Sequence, residues 1–75
     1  MTEEEKEKLF SGALEKIEAE NFSFFNALRP PFNKLRWHVS FIRHLPIGGI
    51  TLEFTTDYLS SNLRQQVRNA FENLW

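Results

Sequence analysis

The apolar positions change period along the chain, and each change predicts an element. Leu9, Phe10, Ala13, Leu14 and Ile17 recur at spacings of three and four, the stripe of an amphipathic helix. Thr2-Glu3-Glu4-Glu5 has the form of a capping box ahead of it, and its acids suit the positive end of the helix dipole. Gly12 interrupts the stripe, either as a tolerated residue, the simpler reading, or as a point of close approach for another backbone. Asn21 is a good cap for a second, short helix from Phe22 to about Leu28, which Arg29-Pro30-Pro31 ends. Phe22, Phe24, Phe25 and Leu28 cannot all face one core on so short an element. Either one aromatic turns outward as a candidate partner contact, or all four pack inside.

From Leu35 the period is two. Leu35, Trp37, Val39 and Phe41 alternate with Arg36, His38 and Ser40, which predicts a strand over 35–42. Pro46 and Gly48-Gly49 mark a turn, and Ile50, Leu52 and Phe54 alternate with Thr51 and Glu53, so 50–54 should pair with 35–42 as an antiparallel hairpin. Thr55, Thr56 and Asp57 then offer capping side chains. Leu59, Leu63, Val67, Ala70, Phe71 and Leu74 follow at helical spacing, a long C-terminal helix of about four turns or more. The expected class is α+β, in the order α-α-β-β-α, with the hairpin's apolar face on the helices.

Composition narrows this picture. The chain has 75 residues, which makes one domain near the lower size for a core without staples; eight Phe, two Trp and one Tyr supply large apolar area. With no Cys there is no disulfide framework and no thiolate metal site. The absence of a long apolar run and the Glu-rich N-terminus predict neither a membrane span nor a signal peptide, and point to the cytoplasm. A pattern closing on Trp75 also fits a domain excised from a longer chain. The formal net charge of −1 conceals an asymmetry: residues 1–20 hold seven Glu against three Lys, whereas 21–50 hold Arg29, Lys34, Arg36 and Arg43 and no acid.

Candidate chemistry is sparse. His38 and His44 have no Cys or carboxylate at metal or triad spacing, so no catalytic, metal or cofactor site is expected. Gly48-Gly49 lacks the Lys-Ser/Thr of a phosphate loop, and a turn accounts for it. Arg64 and Arg68 stand four apart, beside Gln65 and Asn69, on a polar face able to bond phosphate or carboxylate. Together with Arg29, Lys34, Arg36 and Arg43, and with Trp37 or Phe24 as a stacking platform, they form a candidate surface for single-stranded nucleic acid. A plain structural or oligomerisation domain is the remaining alternative.

Three stretches resemble the N-terminal interaction domain of the bacterial replication initiator DnaA. Leu9-Phe10-x-x-x-Leu14-x-x-Ile17 looks like the family's opening Leu-Trp-x-x-x-Leu-x-x-Leu, and Phe22-Ser23-Phe24-Phe25 looks like its Phe-x-x-Trp. The alternating strand, polar turn and Tyr58, followed by Leu63, Val67 and Phe71, are similar to its last strand and helix. Both family Trp positions are Phe here, the Pro corner falls later, and the first strand and its loop are longer and more basic. The ending is also similar to the C-terminal domain of clamp-loader subunit tau. The resemblance implies a small KH-like sandwich that docks the replicative helicase or a replication regulator, self-associates and contacts single-stranded DNA. It implies Phe10 at the self-association surface, and Asn21, Phe25 of the second-helix motif and Tyr58 as partner-binding residues; Asn21 stands where the family often has an acid.

Overall fold

The computed structural model describes residues 2–75. The order is α1 (Glu3–Glu20), α2 (Phe22–Asn26), a 3-10 turn (Leu35–His38), β1 (Val39–Arg43), β2 (Ile50–Phe54) and α3 (Ser61–Glu72), an α+β fold closed by a C-terminal helix. Thr2 caps α1 as its sequence predicts, its hydroxyl accepting the Glu5 N–H at 3.1 Å. Gly12 sits on the exposed side of α1 with nothing near the position a Cβ would take, so it is a tolerated residue and not a close approach.

The hairpin is antiparallel, with Val39 opposite Phe54, Phe41 opposite Leu52 and Arg43 opposite Ile50. Every second residue therefore faces the helices. The turn His44–Gly49 closes with Gly48 and Gly49 at φ of 92° and 97°, a region that residues with a Cβ rarely adopt. Leu45 and Ile47 at its tip are almost wholly exposed.

Two expectations are corrected. Residues 35–38 are not strand: Leu35 and His38 are both buried while Trp37 points out, the three-residue repeat of a 3-10 turn. Leu35 donates its backbone N–H to the Glu18 carboxylate of α1 instead of to a strand partner. Nor do Thr55, Thr56 and Asp57 cap the last helix. Ser60 does, accepting the Leu63 N–H at 3.2 Å. Leu59 is buried just ahead of the helix and Leu74 follows it, so α3 has 12 residues, about three turns and not four or more.

The core joins Phe10, Leu14 and Ile17 of α1, Phe25, Leu35, Val39, Leu59, and Leu63 and Val67 of α3. At one end Phe10 meets Phe41, Phe71 and Trp75 at centroid distances of 5.5, 6.0 and 6.0 Å, and Phe71 stacks on Trp75 at 4.9 Å. Aromatic packing of this kind adds to area burial and serves a chain this short.

Candidate interaction surface

Two exposed aromatics, Phe32 and Tyr58, meet where irregular segments come together. Tyr58 is 62% exposed, and its ring meets that of Phe32, also exposed, edge to face at 6.2 Å. Beneath them lies His38, with no exposed surface, 6.2 Å from Phe32, 6.3 Å from Tyr58 and 6.1 Å from the buried ring of Phe25. Its Nε2 is 2.8 Å from the Phe32 carbonyl oxygen and its Nδ1 2.6 Å from the Thr56 hydroxyl. A carbonyl only accepts, so Nε2 carries a proton and donates to Phe32, while the Thr56 hydroxyl, which can donate or accept, bonds Nδ1.

A second surface runs along α1. One shallow groove of about 290 Å³ is lined by Phe22, Phe25 and Ala19, and an adjoining one of about 380 Å³ by Leu14, Arg36 and Trp37. Both share Glu15, Glu18 and Lys34. Phe22, 64% exposed, stands in the first and Trp37, 59% exposed, in the second. The outward aromatic of the second helix is thus chiefly Phe22.

The residues singled out in the sequence do not form one site. Phe10 is 1% exposed and Phe25 equally enclosed, so neither can meet a partner in the folded domain; their size and apolarity are used in the core. Asn21 is half-buried and works locally: it ends α1, its side-chain amide donates back to the Ile17 carbonyl at 2.9 Å, and it therefore makes no side-chain capping bond to α2, contrary to the expectation from sequence. No hydrogen bond or ring contact among the described residues joins Asn21 to Tyr58.

The cations are equally dispersed. Lys34 and Arg36 flank Trp37 in its groove; Arg36 donates to the Val39 carbonyl at 2.8 Å and lies over the Phe41 ring. Arg43 pairs with Glu3 and Glu7 of α1. Arg68 lies over Phe54, Arg64 is half-buried with Nε enclosed and unbonded, and Arg29 is exposed. Lys34 and Arg36 line a groove with an exposed aromatic, Trp37.

His38 and Phe32 were not legible as site residues. The partners of His38 come from a carbonyl and a hydroxyl on separate turns, which no local spacing reveals. An aromatic directly after Pro30-Pro31 was the available signal for Phe32, since a proline corner leaves few neighbours to cover it.

Among the described residues no group of three or more His, Cys, Asp or Glu is placed to hold a metal ion, and no helix is long and apolar enough to cross a membrane. Comparison of the chain with protein-family models, with curated proteins and with solved structures finds no match.

Proposed function

We propose that this chain is a non-catalytic protein-docking domain of the bacterial DNA replication machinery, working in the cytoplasm and engaging the replicative helicase or a replication regulator through the surface centred on Tyr58. The observation that carries the reading is the exposure of Tyr58 on a buried support, since exposed rings on rigid footings are what partner pockets grip. The resemblance of the Ile50–Phe71 stretch to the initiator's interaction domain supplies the class of partner. Titration of the cognate helicase against the parent chain and Tyr58→Ala tests it. Binding by the parent, weakened roughly tenfold or more in a variant with an unchanged folded spectrum, is expected. Equal binding, or none by either protein, overturns the assignment.

One observation favours a second reading, contact with single-stranded nucleic acid: Trp37 is exposed in a groove with Lys34 and Arg36, which among the described residues form no salt bridge, although Glu15 and Glu18 line the same groove. An aromatic face flanked by cations can stack a base and hold its phosphates. Salt-dependent binding of an oligonucleotide that Trp37→Ala abolishes supports it, and no binding at low salt removes it.

A further inference from the structure

We infer that His38 is the positioning residue of the docking surface: its imidazole ties the 30–34 turn to the 55–59 turn and so presents Phe32 and Tyr58 as one composite surface. This inference rests on the reading of Tyr58 as a partner contact. Each turn has backbone bonds of its own. In the first, Phe32 N–H reaches the Arg29 carbonyl at 2.8 Å and Lys34 N–H the Pro31 carbonyl at 3.1 Å. In the second, Thr55 donates its N–H to the His38 carbonyl at 2.9 Å and its hydroxyl to the Trp37 carbonyl at 3.0 Å. None of these bonds runs from one turn to the other.

Among the described residues two polar routes join the turns. One is the Trp37 backbone, whose N–H donates to the Lys34 carbonyl at 3.1 Å and whose carbonyl accepts from the Thr55 hydroxyl. The other is the imidazole, which alone reaches Phe32 and Thr56, from the Phe32 carbonyl to Nε2 and from Nδ1 to the Thr56 hydroxyl. Both ring nitrogens are satisfied in a site closed to water, where losing one bond leaves a buried polar atom unpaired. The link acts where the exposed rings meet, because Phe32 supplies both a ring and the bonded carbonyl, while Thr56 lies two residues before Tyr58. Holding two rings in place before a partner arrives lowers the ordering cost of binding. The Thr55–Tyr58 segment is thus a positioned support and not a helix cap.

Thr56→Val removes the hydroxyl at nearly constant shape, and Thr56→Ser restores it. In the parent, NMR should show a cross-relaxation contact between the Phe32 and Tyr58 rings. In Thr56→Val that contact is expected to weaken or vanish and helicase affinity to fall roughly three- to tenfold, with a cooperative melt retained; Thr56→Ser keeps both. His38→Gln, which cannot span both partners as the ring does, is the second variant, used if Thr56→Val does not fold, and the same losses are expected. An unchanged ring contact, or a lost contact with undiminished affinity, overturns the inference. If the parent binds no helicase, the docking reading fails, while the ring-contact measurement still decides whether His38 couples the two turns.

Discussion

Tyr58 and His38 lie edge to face, ring centroids 6.3 Å apart, although one ring is largely exposed and the other fully buried. The exposed ring thus stands on a packed one, and its removal opens no interior cavity. Tyr58→Ala should cost the fold less than about 1 kcal/mol, the usual range for a surface truncation. Thermal melts of parent and variant check this. A fall of more than about 10 °C, beyond what 1 kcal/mol produces in a domain of this size, would mean that Tyr58 is structural and that binding losses in the variant reflect unfolding.

Phe10 is the opposite case. It is enclosed by Phe41, Phe71 and Trp75, so Phe10→Ala leaves a cavity among three rings. A buried Phe→Ala change costs about 3–5 kcal/mol, and a domain of this length holds roughly 4–11 kcal/mol in all. Denaturant unfolding should therefore show Phe10→Ala largely or wholly destabilised. A variant as stable as the parent would remove Phe10 from the core and restore it as a candidate for self-association.

The parts of the fold that were legible are those decided by neighbours in sequence. Thr2 with Glu5, the Gly48-Gly49 turn and the alternation of Ile50, Leu52 and Phe54 each carry their structural reason within a few residues, and each element formed where its pattern lies. Residues 35–38 were misread because four residues satisfy two periods. Leu35 and Trp37 suit a strand, Leu35 and His38 suit a 3-10 turn, and tertiary partners decided: Glu18 took the Leu35 N–H, and Phe32 and Thr56 took the His38 ring. The candidate site was legible at Tyr58 and Trp37 as residue types but not as surroundings. Phe10 and Phe25 look alike to any motif whether they face a partner or the core, and only packing separates them.

The start of α3 offers a direct measure of that difference between pattern and packing. Ser60 accepts the Leu63 N–H, while Asp57 is exposed three residues ahead of the cap, its side chain in no hydrogen bond with the described residues. Ser60→Ala should destabilise the domain by about 1 kcal/mol, the usual loss for a cap. Asp57→Ala should stay within about 0.5 kcal/mol of the parent. Denaturant midpoints for the two variants check the ranking, and a reversed order would return the cap to the Thr55–Asp57 segment.

Arg43 tests whether charge near the hairpin is free to meet a polyanion. Its guanidinium pairs with Glu3 and reaches Glu7 at 3.3 Å, with all three side chains about half exposed. Pairs of this kind contribute about 0–1 kcal/mol and weaken with salt, so Arg43→Gln should change stability little, and less at high ionic strength. Its effect on nucleic-acid contact follows from the same pairing, because a phosphate would have to displace two carboxylates that travel with α1. In titrations with a single-stranded oligonucleotide, Lys34→Gln and Arg36→Gln should each lower the slope of log affinity against log salt by about one, the mark of a lost phosphate contact. Arg43→Gln should leave that slope unchanged. Should Arg43→Gln flatten the slope as much as the other two, the ion pairs open on binding and the basic surface extends from the Trp37 groove to the hairpin.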